Sequence, residues 1–467
     1  MVFPLFFMKI CFISLGCDKN LVDTEMMMGM LSERGHELVS DETLADVAVV
    51  NTCSFISDAK AESINTLIRM ERLKENGTLK GIIAAGCLAE RYSDDIRREL
   101  SGVDVLIGTM AIDEIVNAVS LIEEGITEKT AETSDKKHMF LKPINGPLVY
   151  GKKRIVSTGG HFAYLKIAEG CDKHCTYCAI PSFRGKFRSV PMEVLVGEAK
   201  TLSENGVKEL ILVAQETTLY GKDLYGEKSL VKLLRELSKI DGIVMIRLLY
   251  CYPEEITDDL IEEIASNKKI CKYIDMPIQH ASDAILKRMG RLTTRADLLH
   301  VIKRLRDNVP GICIRTTLIT GFPGETKKDF NELMSFVKEV RFDRLGVFTY
   351  SKEEGTGAAL MKKQIPAFIK KARKNRIMRI QQAIAFENAE AEIGRDLTVM
   401  VEGKLPDESE DKNNVYACRT YKDAPDVDGL LFLNTPRELV TGDICIAHVT
   451  GANNYDLVGV MNDEFTE

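Results

Sequence analysis

Apolar and polar positions follow two rhythms along this chain, and the alternation between them predicts its elements. From Lys9 one plan repeats: a short continuous apolar run, a cysteine at its end, then a segment with apolar residues at three- and four-residue spacing. Continuous runs predict buried strands and the wider spacing predicts amphipathic helices, so residues 8–125 read as an open α/β sheet domain. The runs are 9–16, 46–52 and 80–86, ending in Cys17, Cys53 and Cys87, and a fourth, 103–107, which ends in Gly108-Thr109 instead.

Residues 126–160 lose this periodicity. They are charged and contain glycine, and are assigned as a linker. From 161 to 390 strands near 162–167, 210–214, 244–249, 273–276, 312–319 and 345–349 alternate with helical stretches such as 193–204, 230–240 and 326–340. Six such βα units predict a partial (β/α)6 barrel with the helices as its outer layer. Beyond residue 395 the pattern turns to short β-rich runs, 397–401, 415–418, 429–433 and 444–449, separated by turn residues. This predicts a small, OB-like β-barrel over 395–463.

Composition narrows the setting. A chain of 467 residues divides into three domains of ordinary size. Its 12 cysteines, with no basic segment or cleavage site of a signal peptide near Met1, indicate thiols and metal ligands in a reducing cytoplasm rather than disulfides. Met1 and Met8 are both candidate starts. No apolar run is long enough to span a membrane, and a monomer is expected. The net charge of −8 argues against a generally basic nucleic-acid binder. From Arg395 onward 15 Asp and Glu face 6 Lys and Arg, a net of −9, so the terminal domain carries the imbalance. Such a surface repels phosphate backbones and attracts a basic protein. Asp423, Asp426 and Asp428, crowded into one turn-rich segment, are the first candidates for that contact; ordinary solubilising charge is the plainer account. Residues 362–379 run the other way, with no acid among them, and read as a basic helix.

The chemistry concentrates in Cys171, Cys175 and Cys178, spaced C-x3-C-x2-C after an apolar strand. Three thiols on one loop can hold an iron-sulfur cluster and leave one iron open for a substrate or cofactor. A closed zinc site is the alternative, but His174 adjoins Cys175 and would make a cramped fourth ligand. Cys17, Cys53 and Cys87 share one position, the carboxyl end of a parallel strand, where ligands gather in open sheets. Three small buried cysteines would be the plain account of them; their matched placement favours a second three-cysteine cluster. Further polar groups fall at the carboxyl ends of the barrel strands: Gln215 and Glu216, Gln279 and His280, and Gly321 in the turn 321–325, with Arg315 inside the fifth strand.

The loop around Cys171, Cys175 and Cys178, with Tyr177 before the last thiol, resembles the signature of the radical S-adenosylmethionine enzymes. The resemblance implies a 4Fe-4S cluster whose open iron chelates S-adenosyl-L-methionine and, once reduced, releases a 5'-deoxyadenosyl radical. It places Tyr177 near the adenine, Gln215 and Glu216 near the methionine amino group, and the region of Arg315 and Gly321 beside the adenosine, with Gln279 a further candidate for cofactor contact. The stretches 14–20, 51–53, 85–87, 276–280 and 321–325, with the three-domain order, resemble the methylthiotransferases over nearly the whole chain. That family implies a second 4Fe-4S cluster on Cys17, Cys53 and Cys87, a second S-adenosyl-L-methionine as methyl donor, a sulfur source and an electron donor. Its two branches modify a transfer-RNA adenosine or the β-carbon of an aspartate in a basic small-subunit ribosomal protein. Residues 350–356 and 419–429 resemble the ribosomal-protein branch; the alternatives are the transfer-RNA branch and a non-catalytic iron-sulfur electron carrier or sensor. Asp18, where a proline is frequent, departs from the pattern.

Overall fold

The computed structural model describes residues 7–127, 138–406 and 414–462. Met1, residues 133–137 of the expected linker, the end of the terminal domain at Asp463 and seven of the fifteen acids beyond residue 395 lie outside the described residues.

The first domain is a sheet of β1 (Lys9–Ser14), β2 (Glu37–Val39), β3 (Val47–Thr52), β4 (Gly81–Gly86), β5 (Val105–Ile107) and β6 (His138–Phe140), all parallel in the order β2-β1-β3-β4-β5-β6. Every residue of β3 and β4 is buried. Val47, Val49, Ile83 and Ala85 meet one helix layer, and Ala48, Val50, Ile82 and Ala84 meet the other. Burial on both faces is why these strands read as continuous apolar runs. Removing such a side chain, as in Ile83→Ala, leaves a cavity and costs about 2–5 kcal/mol. The register puts Ser14 opposite Asn51, Asn51 opposite Ala85 and Thr52 opposite Gly86, so three strand ends lie level. Strand β6 falls inside the expected linker. Three residues at a sheet edge are too short to carry a periodic signal.

The central sheet contains β7 (Phe162–Lys166), β10 (Glu209–Val213), β11 (Met245–Leu248), β12 (Ile270–Asp275), β13 (Cys313–Thr320) and β14 (Arg344–Thr349) in the order β14-β13-β12-β11-β10-β7, all parallel. A small hairpin of β8 (Ala168–Glu169) and β9 (Arg188–Ser189) stands beside it. One face packs on helices including Leu230–Ser238, Arg295–Asn308 and Lys327–Val340. Capping boxes of Thr294 with Asp297 and Thr326 with Asp329 start the last two. The expected basic helix begins later than its charges do. Pro366 precedes the helix Ala367–Glu390, leaving Lys362 and Lys363 outside it. Within the helix Arg373 pairs with Glu325 at 2.8 Å and Lys370 Nζ donates to the Tyr350 carbonyl at 2.7 Å.

The terminal domain is a closed barrel of β15 (Asp396–Lys404), β16 (Asn414–Thr420), β17 (Leu431–Thr435), β18 (Ile444–Asn453) and β19 (Asp456–Met461), in the order β15-β16-β17-β19-β18. The fifth strand, absent from the sequence reading, closes it. It follows β18 through a two-residue turn in which Asn454 takes φ 58°, a left-handed conformation that asparagine tolerates.

The other face of the central sheet is shared between its neighbours. At the amino ends of the strands the barrel docks: Arg419 pairs with Glu209 at 2.7 Å, Arg247 donates to the Tyr421 carbonyl at 2.7 Å, and Met400 and Ala424 pack against Ile211 and Tyr273. At the carboxyl ends the first domain docks. Lys166 pairs with Asp23, Tyr250 Oη donates to Asp18 at 3.1 Å, and Lys19 Nζ lies 3.3 Å above the Tyr250 ring. The carboxyl ends of two sheets therefore face one another.

Candidate active site

The loop of Cys171, Cys175 and Cys178 leaves β8 through Gly170, whose φ is +81°. A Cβ there would lie 2.0 Å from the Lys186 carbonyl oxygen, so the turn requires glycine. Backbone bonds then fix the loop. Cys171 N–H donates to Gly185 O at 3.1 Å, Cys178 N–H to Cys175 O at 3.0 Å, and Thr176 N–H to Met289 O at 2.9 Å. The thiols of Cys171 and Cys178 are each pushed up to about 12, in the first place by burial, and the neighbouring cysteines push the same way. Only a bound cation would make such buried thiols into thiolates at neutral pH. Lys173 N–H donates to Cys171 Sγ at 3.4 Å, and Tyr252 Oη lies 3.7 Å from Cys175 Sγ.

Cys17, Cys53 and Cys87 stand at the three level strand ends. A Cβ on Gly16 would meet Cys53 Sγ at 2.7 Å, so the chain passes against that thiol. Cys53 N–H donates to Ser63 Oγ at 2.9 Å. Asn20 donates to the carbonyls of Leu15 and Thr52, both at 3.0 Å, tying the first strand end to the second. The Cys87 thiol is pushed up to about 12 by burial first; Arg184 opposes the shift, and Cys17 and Cys53 add to it. Three thiols thus share one field despite their separation in sequence. Arg184 donates to Cys87 Sγ through Nη2 at 3.3 Å and Nε at 3.4 Å. Among the described residues no three His, Cys, Asp or Glu side chains surround a single-ion site. The donor chemistry of both triads suits a polynuclear cluster, which places its own iron and sulfide between thiolates.

Around the first triad several buried polar atoms lack partners. Gln215 Nε2 donates to Glu169 at 2.6 Å, while its Oε1 has none. Glu216 is buried and bonded to Thr218 through one oxygen, its other oxygen free, and its carboxyl is raised to about 8 by burial. Gln279 takes φ 69° and has an unpartnered Oε1. Tyr177 packs beside Phe322 and Tyr350. Gly321 N–H donates to Glu325, and a Cβ on it would strike the Lys370 side chain at 2.3 Å. Unpartnered buried groups beside an open loop are what a polar cofactor would satisfy.

Two placements depart from the sequence reading. Arg315 does not reach the loop. It lies in the amino half of β13, pairs with Asp275 at 2.9 Å and approaches Asp428 of the terminal barrel at 3.7 Å. Asp423 and Asp428 are not surface acids either: Asp423 is buried against Arg344, and Asp428, with its side chain 4% exposed, accepts from Tyr273 Oη at 3.0 Å. Only Asp426 of the three is exposed.

Three family models match in the order of the three domains: the uncharacterized protein family UPF0004 over residues 9–108, the radical SAM superfamily over 165–337 and the TRAM domain over 393–461. A ribosomal protein uS12 methylthiotransferase RimO from Lachnoclostridium phytofermentans is 55% identical over 97% of this chain and 99% of its own length. The chain belongs to this methylthiotransferase family. A second relative of the same name, from Acetivibrio thermocellus, is 48% identical over 98% of this chain and 99% of its own. Among solved structures the fold is shared with the radical S-adenosylmethionine methyltransferase TsrM of Kitasatospora setae, bound to cobalamin and a [4Fe-4S] cluster. The TM-score is 0.53 at 14% identity, covering 74% of this chain and 72% of that one. The cobalamin-dependent radical enzyme OxsB gives 0.51 at 14% identity over 81% of this chain and 56% of that one.

Within this methylthiotransferase the sequence reading missed two arginines beside the thiols. Arg184 follows Cys178 by six residues and reaches the other domain. Arg291 is 5% exposed, lies 4.2 Å over the Tyr252 ring, donates to the Pro277 carbonyl at 3.0 Å and keeps two unpartnered nitrogens. Neither belongs to a spacing pattern. The one available signal for Arg184 was its closeness in sequence to the cysteine loop.

Proposed function

We propose that this chain methylthiolates the β-carbon of an aspartate in ribosomal protein uS12 by radical S-adenosylmethionine chemistry, with two 4Fe-4S clusters held by Cys171, Cys175 and Cys178 and by Cys17, Cys53 and Cys87. The observation that supports this reading is that Arg184, six residues after Cys178, crosses to the facing domain and donates to Cys87 Sγ. When bound, the clusters and S-adenosyl-L-methionine supply a radical able to take hydrogen from an unactivated C–H bond, and the sulfur and methyl groups that replace it. The residues fit that task. Six thiols, four of them buried and those of Cys17 and Cys178 half-buried, offer the donors, and Gln215, Glu216, Gln279 and Arg291 offer unpartnered polar atoms for a zwitterionic cofactor.

The protein's own part is positioning and exclusion of water. Lys173 pairs with Glu255 at 2.5 Å and holds the cysteine loop against the turn after β11. Glu353, in the segment 350–356, takes Lys60 at 2.6 Å and Arg91 at 3.3 Å from the first domain. The Glu353 contacts hold the carboxyl ends of the two sheets together, so that the two thiol triads would hold their groups on facing sides of the domain boundary. Tyr177 contributes an apolar wall, and Gly321 a close backbone approach.

The names of the relatives support the ribosomal protein over the transfer-RNA alternative. Among the described residues no helix is long and apolar enough to cross a membrane. The enzyme acts in the cytoplasm as a monomer, with a separate electron donor and sulfur source. The test is anaerobic reaction of the reduced, reconstituted enzyme with uS12, followed by peptide mass spectrometry. A methylthio group on one aspartate is expected. Modified transfer RNA with unmodified uS12 would reverse the assignment.

A further inference from the structure

Arg184 ends the short helix Ile180–Arg184, which begins just after the last cysteine of the radical loop, and its side chain is 2% exposed. Its guanidinium divides its N–H groups among partners from both domains. Nη1 donates to Asp23 and to Glu169, each at 2.9 Å; Nη2 donates to Asn20 Oδ1 and, at 3.3 Å, to Cys87 Sγ; and Nε reaches the same sulfur at 3.4 Å. Lys166 also pairs with Asp23 and, at 3.2 Å, with Glu169. The two buried acids thus face Arg184 and Lys166, and the N–H groups aimed at Cys87 act as directional donors. Glu169 in turn accepts from Gln215 at 2.6 Å. Among the described residues no arginine donates to a sulfur of the radical loop, where Cys171 Sγ has a backbone N–H and the Glu216 carboxyl lies near it.

Hydrogen bonds to ligand sulfur and local charge set the potential of an iron-sulfur cluster. Reduction adds negative charge that spreads onto the thiolates, so N–H donors favour the reduced form. We infer that Arg184 is a positioning residue for the N-terminal triad, donating two N–H groups to Cys87 Sγ and thereby raising the reduction potential of the cluster held there. This rests on the ligand sets of the proposed function. It makes the two triads electrically unlike, with the difference delivered by a residue of the radical domain itself.

The test uses the full chain carrying Cys171→Ala, Cys175→Ala and Cys178→Ala, reconstituted with iron and sulfide so that only the N-terminal cluster forms. Its midpoint is measured by anaerobic redox titration with electron paramagnetic resonance of the reduced state. In that background Arg184→Gln is combined with Asp23→Asn, so that no buried acid is left without a cation. The reduction equilibrium is expected to move at least about tenfold toward the oxidised form, a midpoint about 59 mV lower for one electron. Arg184→Lys, which keeps the charge and loses the paired donors, should fall between, and it carries the same measurement if the double variant does not fold. An unmoved midpoint in a folded, iron-loaded Arg184 variant overturns the inference. Absence of any cluster before Arg184 is touched overturns the ligand reading itself.

Discussion

The two thiol triads reach the same end by opposite routes. Cys171, Cys175 and Cys178 lie on one loop, so their convergence is local and a single glycine turn at Gly170 aims it. Cys17, Cys53 and Cys87 converge only because β1, β3 and β4 pair in a register that levels their ends. Their surroundings differ as well. A raised carboxyl, Glu216, stands near the first triad, and a guanidinium touches the second. Closeness in sequence is therefore one way to bring thiols together, and register across a sheet is another.

The sharpest way to break this comparison is to remove one thiol from each triad. Cys175→Ala should abolish reductive cleavage of S-adenosyl-L-methionine and leave roughly half the iron, because the N-terminal ligands belong to a separately packed sheet. Iron analysis and assay of 5'-deoxyadenosine check it. Retained cleavage would remove the loop from the chemistry. Cys53→Ala should give the complementary loss, with 5'-deoxyadenosine still formed while methylthiolated uS12 disappears from the mass spectrum. Full methylthiolation by that variant would make the strand-end cysteines structural.

Most of the architecture was legible because its signals repeat. Buried parallel strands announce themselves as apolar runs, and the three cysteines at their ends stood out by matched position rather than by spacing. What escaped had no repeating signal. Strand β6 is a three-residue edge, β19 buries only Gly459 and so lacks a regular inward apolar face, and Arg184 and Arg291 are buried cations whose partners come from distant segments. Arg315 was misjudged by depth along its strand. Being in β13 did not put it at the carboxyl end, which lies five residues further on at Thr320.

Glu216 offers a finer contrast between the triads, readable in the metal-free chain. Its carboxyl is raised to about 8, chiefly by burial, against an ordinary value near 4.5. Between those values the folded chain holds a proton that the unfolded chain has released, so its contribution to stability falls as pH rises from about 4.5 to about 8 and is level above that. Glu216→Gln should flatten this part of the curve of unfolding midpoint against pH. An identical slope in parent and variant would show that Glu216 is solvated.

The acidic segment of the terminal barrel sharpens the comparison from the other side, because here neighbours in sequence are parted by the fold. Asp423 and Asp428 are turned inward onto Arg344, Arg315 and Tyr273, while Asp426, at φ 60°, is exposed and near enough to Tyr164 to add to the upward shift that burial gives that hydroxyl. Asp423→Asn should therefore weaken the docking of barrel on sheet, by about 1.5–3 kcal/mol as for hydrogen bonds to charged groups, visible in urea unfolding and largely indifferent to salt. Asp426→Asn should leave unfolding unchanged and slow capture of uS12 less than about threefold at low salt, the difference vanishing as ions screen it. The contrast lies in the salt response. If Asp423→Asn slows capture in a salt-dependent way without loss of stability, the buried carboxylate acts through its field after all, and the division between inward and outward acids fails.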